Sequence, residues 1–447
     1  MMNRIGKFEK FLFSFSFLLF SVSGFCADPV DPNLHSAQED RNTVRGMVRE
    51  ILHDMRLQET QQLPSGHVIT LYDEGFLFIG EDDKLTLSGW YQGDLRVPQA
   101  NHPQATRFLN RRARLDARGV LEQYFGFRLM GEFAGANAQL QEGWLEYNRW
   151  PYARLRIGQY KEPFSLESQY SSLWIDFVET SLIVSNLQPA EDIGAMFFGN
   201  VFDKAVVYTI GIFNGIAKNA AETNDDKDLA SRIVIQPFSK SESNRLKDLY
   251  LGGSVTVGVQ QNNFAGATFT TALGTPFLTF SAATLHNGTR TRTGGEVEWL
   301  VGPASLKSEY IASRFEHFEM GSGVADFWAQ GWYLSATCFL TGEKKSRNKF
   351  MVPKEQFAPF DGKWGLGAWE VAARFEQFFV DPEFIGKGFA RGTDQVDAVT
   401  AGTNWWPNKH IKMAANYVYS RFDHIVGTSG TSLNDEHVFL SRFQFHF

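Results

Sequence analysis

Arginine recurs at short intervals in the run Arg111-Arg112-Ala113-Arg114-Leu115-Asp116-Ala117-Arg118. A guanidinium keeps its charge at physiological pH, and its planar fork matches the oxygens of a carboxylate or a phosphate. The chemistry such a run offers is anion binding. On a β-strand, successive side chains point to opposite faces. Arg112, Arg114, Asp116 and Arg118 then share one face, and Ala113, Leu115 and Ala117 share the other. A dry core cannot hold three guanidiniums on one face, whereas the wall of a wet lumen with lipid behind it can. The charged rail would be about 20 Å long, at about 3.3 Å per residue. Arg111 has the opposite parity, so on this register it reaches the lumen only near a rim or a strand end.

Further cations sit in similar alternating stretches. Arg96 shares a face with Thr86, Ser88, Trp90, Gln92 and Asp94, Arg128 one with Tyr124 and Glu132, and Arg154 and Arg156 alternate with Leu155 and Ile157. Lys161 follows directly. With Arg111, Arg112, Arg114 and Arg118, these form the candidate pore-lining, anion-binding set. Each arginine has a second reading, in which an acid such as Asp116 or Glu142 pairs with it and ties strands together. Glu142, Glu146, Glu296, Glu298 and Glu370 also fall on the lumen parity. Trp90, Trp144 and Trp174 could stack on sugar rings, which keeps a general or sugar-type channel as the alternative.

Catalysis finds little support. The 10 His are scattered, and none stands in a nucleophile–base constellation. No spacing matches a metal site, and no cofactor is implied. An outer-membrane enzyme barrel and a structural tether are the remote alternatives. A net charge of −7 argues against nucleic acid as a partner.

These residues need a scaffold of strands. The 447 residues carry 41 Phe, 11 Trp, 13 Tyr and 40 Gly, with 21% charged. That composition is too polar for a helical membrane bundle, but a barrel dilutes its hydropathy by alternation. Arg4, Lys7 and Lys10 precede the apolar stretch Phe11 to Phe20, the pattern of a secretory signal. The expected division is a signal peptide over 1–27, a periplasmic linker with a helical segment over 28–74, and a barrel over 75–447. The helix is placed at 37–63, where Val44, Met47, Val48, Ile51, Leu52 and Met55 recur at helical spacing. From Tyr72 the period becomes two, and counting from residue 84 about sixteen strands follow. They predict an all-β, sixteen-stranded antiparallel transmembrane β-barrel with a short N-terminal helical segment.

Short turns such as Gly199-Asn200 and Gly302-Pro303 alternate with longer polar loops. Residues 161–191 form a long interruption, and 341–363 form an insertion where a short turn is expected. The last strand alternates Phe443, Phe445 and Phe447 with Arg442, Gln444 and His446. A terminal aromatic on such a strand is similar to the signal read by the outer-membrane assembly machinery. Trp150, Trp299, Trp405 and Trp406 suit interfacial girdles.

Three stretches resemble the phosphate-selective porin O and P family: Leu87-Ser88-Gly89-Trp90-Tyr91-Gln92-Gly93-Asp94, Asn110-Arg111-Arg112-Ala113-Arg114-Leu115, and Gly158-Gln159-Tyr160-Lys161-Glu162-Pro163-Phe164-Ser165-Leu166-Glu167. The resemblance implies a trimeric sixteen-stranded barrel in the Gram-negative outer membrane, with lipid around it and small anionic solutes inside. It also implies a third loop folded into the lumen. That constriction loop would begin at Lys161 and carry Glu162, Glu167, Asp176 and Glu179. The function it implies is passive diffusion of phosphate or polyphosphate-like anions. The four acids of the loop depart from a purely basic constriction.

Overall fold

A computed structural model of the chain describes residues 68–72, 75–79 and 83–447, apart from 221, 223, 224, 243, 244, 348, 429 and 430. The signal peptide and the helix expected at 37–63 lie outside the described residues. Two short strands, Val68–Tyr72 and Gly75–Ile79, precede the barrel.

Sixteen antiparallel strands follow one another around the wall. They are β1 Lys84–Pro98, β2 Arg107–Leu121, β3 Phe125–Glu132, β4 Gln139–Trp150, β5 Ala153–Lys161, β6 Glu191–Val201, β7 Val206–Phe213 and β8 Asp228–Ile235. Then come β9 Leu249–Asn263, β10 Leu285–Val301, β11 Ala304–Met320, β12 Gly323–Phe339, β13 Ala368–Val380, β14 Gln395–Trp406, β15 Ile411–Thr428 and β16 Thr431–His446. β16 pairs with β1, Phe443 opposite Gly93, and closes the sheet. Closure leaves no unpaired edge, which a wall in hydrocarbon requires.

Alternation sorts the side chains as the period-two pattern predicts. Leu115, Leu129, Leu145, Ile157 and Phe197 point outward and are more than half exposed, whereas Asp116 is 3% exposed. The outward row forms the lipid-facing wall. Glu142, Glu146, Glu296, Glu298 and Glu370 are all buried on the inner side. Trp406 departs from its expected girdle position. It pairs with Ala368 and faces inward, with the Lys412 ammonium 5.0 Å from its ring centre.

Loop lengths also differ from expectation. β10, β11, β12, β15 and β16 continue beyond the expected runs, so the connection at 321–322 is a tight turn. On the same rim the loop 264–284 forms a hairpin, Thr268–Thr270 with Pro276–Phe280, and Ala390–Gly392 adds a third strand. Phe269, Phe277 and Phe280 from this lid pack with Phe315, Phe318, Phe327 and Phe378 of the barrel. Burial of these rings closes the loop-side end over β11–β13 with a dry aromatic core.

Candidate functional site

The loop from Glu162 to Ala190 turns into the barrel instead of leaving it. It carries two one-turn helices, α1 (Leu166–Gln169) and α2 (Leu182–Leu187). Helix N-termini leave backbone N–H groups without partners, and the barrel wall supplies acceptors. The Glu309 carboxylate accepts from Leu166 N at 2.7 Å and Glu167 N at 2.8 Å. Glu376 accepts from Leu182 N at 2.6 Å. The stretch between the helices is held by amides and amines of the same wall. Asn416 accepts from Val178 N at 2.6 Å, Asn404 donates to Asp176 O at 2.7 Å, and Lys412 donates to Ile175 O at 2.8 Å. Apolar contact finishes the fit, since Leu182, Ile183, Val184 and Leu187 belong to the aromatic core under the lid.

The loop acids each have a defined environment. Asp176 lies 2.8 Å from both Lys307 and Lys345. Glu167 accepts from Ser181 N at 2.8 Å and stands 3.4 Å from Arg374. Glu162 is buried and one carboxylate oxygen lacks a partner. Burial pushes its carboxyl up to about 8, against the pull of Arg292 and with Asp228 adding to the rise. Glu179 meets three guanidiniums: Arg111 at 2.9 Å, Arg442 at 3.3 Å, and Arg96 in a short contact. Burial alone would raise its carboxyl. The charges of Arg111, Arg442 and Arg96 outweigh burial and hold it well below the usual carboxylate range.

The opposite wall, β2 to β5, carries most of the arginine set. Arg114 binds Glu132 at 2.7 Å, and Arg128 bridges Asp116 at 2.8 Å and Glu142 at 2.9 Å. Arg156 binds Glu146 at 2.6 Å and lies 3.9 Å over the Trp144 ring. Arg154 is 3.8 Å from the same Glu146 and stacks over Phe198. Arg118 stands opposite Thr86 on β1 and Arg128 on β3. Arg112 donates to the Gln92 side chain at 2.9 Å and meets no carboxylate among the described residues. Arg111, Arg112, Arg114, Arg118, Arg128, Arg154 and Arg156 thus stand on a wall with four carboxylates, Asp116, Glu132, Glu142 and Glu146, while Arg111 reaches Glu179 of the loop. These arginines are only partly buried, unlike Arg374 and Arg442 beneath the loop, whose side chains are 2% and 4% exposed. The solvent-accessible inner surface therefore runs along the arginine wall.

Two expectations change. Arg111 does not sit at a rim. The register passes from Gln92 opposite Arg112 to Gly93 opposite Asn110, so Arg111 is the extra residue of a β-bulge. The bulge turns it inward beside Arg112. Lys161 follows a different pattern from the arginines. Its ammonium donates to Ser168 O at 2.8 Å and Tyr170 O at 2.7 Å, so it holds the root of the loop. Sequence reading missed Lys307, Arg374, Lys412 and Arg442, which bind the loop from the barrel wall, and Lys345, which reaches it from the turn after β12. The strand parity of the first four was readable, but nothing in the sequence says which wall the loop will lean on. It also missed a three-residue group at the loop rim, Asp394, Asp423 and His424, where His424 Nδ1 is 2.8 Å from Asp394. The rings considered for sugar stacking are covered by protein: Trp144 by Arg156, Trp90 by Met130 and Leu173, Trp174 by Phe350.

A closed sixteen-stranded barrel with an apolar outside, a charged inside and an infolded loop is an outer-membrane porin. Residues 86–447 match the phosphate-selective porin O and P family, and the chain belongs to it. It is accordingly an anion-preferring channel of the Gram-negative outer membrane. Porin O of Pseudomonas aeruginosa is 23% identical over 339 residues, which span 70% of this chain and 74% of that protein. The outer membrane channel DcaP of Acinetobacter baumannii superposes with a TM-score of 0.54 at 12% identity, over 84% of this chain and all of that one. The anion-selective porin from Comamonas acidovorans gives 0.51 at 12% identity, over 82% of this chain and 100% of that one. At these identities the structural likeness shows the fold.

Proposed function

We propose that oxyanions of the phosphate class cross this barrel along the β2–β5 wall, passing between the arginines and the infolded loop. The observation that carries the reading is Arg112. It lies between Arg111 and Arg114, bonded to an uncharged amide and to no carboxylate among the described residues. Its charge is available to a solute. Low-dielectric walls focus the field of such a cation and raise the local anion concentration. The acids paired with Arg114, Arg128 and Arg156 serve a second need. They keep each following site moderate, so an anion that enters can also leave.

The reading needs no bond-making and no metal, and places no catalytic residue in the barrel. A homotrimer is part of the same proposal and rests on the family resemblance. Recognition by the assembly machinery rests on Phe443, Phe445 and Phe447, which share the outward face of the last strand and its end.

Planar-bilayer reversal potentials in a salt gradient test the proposal. Wild type should prefer chloride over potassium, and phosphate should block the chloride current. Arg112→Ala should weaken that block about tenfold or more, the worth of one charge-assisted hydrogen bond at ~1.5–3 kcal/mol. Cation preference, or block by maltodextrins and not by phosphate, overturns it.

A further inference from the structure

The turn between β12 and β13 runs over residues 340–367, and its two limbs go to opposite sides of the wall. The first limb enters the barrel. Lys345 meets Asp176, Arg347 lies 2.9 Å from Glu298, and Phe350 stacks on His446 at 4.3 Å. The second limb lies against the outside. Phe357–Ala358 pairs with Lys363–Trp364 across a 3-10 turn, Pro359–Asp361, which Gly362 closes at φ 69.

This outer limb is built onto the lipid-facing wall. Trp369 on β13 and Trp405 on β14 point outward and stack at 5.4 Å. Both indoles donate to Leu366 O, at 3.0 and 2.9 Å. Phe357 N donates to Pro407 O at 2.7 Å, and the Phe357 ring lies 5.7 Å from Trp405. Gly367, at φ 68, passes so close that a Cβ would stand 2.5 Å from Trp406 O. The limb is therefore held in place by several independent contacts.

Its free side is apolar in an unusual degree. Phe360 is 103% exposed, Trp364 75% and Leu366 70%. Exposed apolar patches of this kind mark a contact surface. Lys354 and Lys363 are exposed beside them, as are Glu355 and Asp361. Large rings mixed with both charge signs fit the headgroup region of a bilayer, where rings sit at the acyl boundary and charges meet ammonium and phosphate groups. The limb lies at the rim that carries the start of β1 and the end of β16, the periplasmic side of such barrels. It continues the outward column Trp369, Val371 and Phe375 of the lipid-facing wall.

We propose that residues 355–366 form a membrane foot, which inserts Phe360, Trp364 and Leu366 into the headgroup–acyl boundary of the periplasmic leaflet. The occupant is phospholipid, because the limb is tied to the outer wall and continues its apolar surface.

The test places a probe on the foot. Phe360→Cys, in the full chain with its other cysteines replaced by serine, is labelled with an environment-sensitive dye. The protein is reconstituted in phosphatidylethanolamine–phosphatidylcholine vesicles carrying doxyl groups at carbon 5 or carbon 16 of the acyl chain. A label at Lys240→Cys, on an exposed turn of the same rim, gives the aqueous reference. Phe360 is fully exposed, so folding should survive, and unheated gel migration checks this. The expected result is blue-shifted emission, quenched several-fold more by the carbon-5 doxyl than by the carbon-16 doxyl. Water-like emission quenched by iodide overturns the proposal. So does a blue shift without doxyl quenching, which would assign the surface to a second copy of the chain.

Discussion

Replacing Glu179 with glutamine should strengthen anion binding in the channel. In the structure one carboxylate answers Arg96, Arg111 and Arg442 together. Its backbone is fixed separately, since Glu179 O accepts from Arg374 at 3.2 Å and Val178 N donates to Asn416 at 2.6 Å. The substitution therefore removes a charge while the loop keeps its other ties. A solute on Arg111 and Arg112 would feel the lost carboxylate from about 6 Å. Coulomb's law gives ~3 kcal/mol at an effective dielectric of about 20 and under ~1 kcal/mol in bulk water. Phosphate affinity should rise roughly three- to hundredfold. Phosphate block of chloride current, measured on single channels with wild type alongside, reads this directly. Low pH should mimic the substitution only in strong acid. A depressed carboxyl contributes stability that is present above the usual glutamate value of 4.5 and is lost as pH falls through its own lower value. A folded Glu179→Gln channel with unchanged block would refute the electrostatic argument and leave the residue as a tie between loop and wall.

Two further predictions concern the root of the loop. Glu162 should hold its proton to about pH 8, so anion conductance should fall as pH rises through that value, and Glu162→Gln should abolish the step. The same raised carboxyl costs stability progressively from pH 4.5 to about 8, so thermal stability of wild type should decline across that interval relative to Glu162→Gln. Lys161→Met removes two hydrogen bonds, to Ser168 O and Tyr170 O. It should loosen the first turn of the loop by about 1.5–3 kcal/mol per bond to the charged group, read as added noise in the open-channel current; a quiet channel would show that Glu309 and Glu376 suffice to hold the loop.

Much of the architecture follows from local rules that a sequence displays. Period-two alternation, a charged face against an apolar face, and Gly- or Pro-marked turns specify strands and their sidedness without knowledge of partners. Sixteen strands, the inward set Arg112, Arg114, Asp116 and Arg118, and the interruption at 161–191 were legible for that reason. The family motifs added the expectation of an infolded loop. Tertiary structure decided what depends on a second strand or a distant segment. Arg111 faces inward because β1 and β2 slip by one residue at Gly93, and a bulge has no signature in the parity of one strand. Lys161 donates into the loop because Ser168 O and Tyr170 O come within its reach. The pairing of Glu179 with Arg96, Arg111 and Arg442 joins residues up to 263 positions apart, and no local pattern encodes such a meeting. The arginine run itself was readable from spacing alone. Which of its charges remain uncommitted, Arg112 foremost, was set by the carboxylates that the closed barrel brings across to the others.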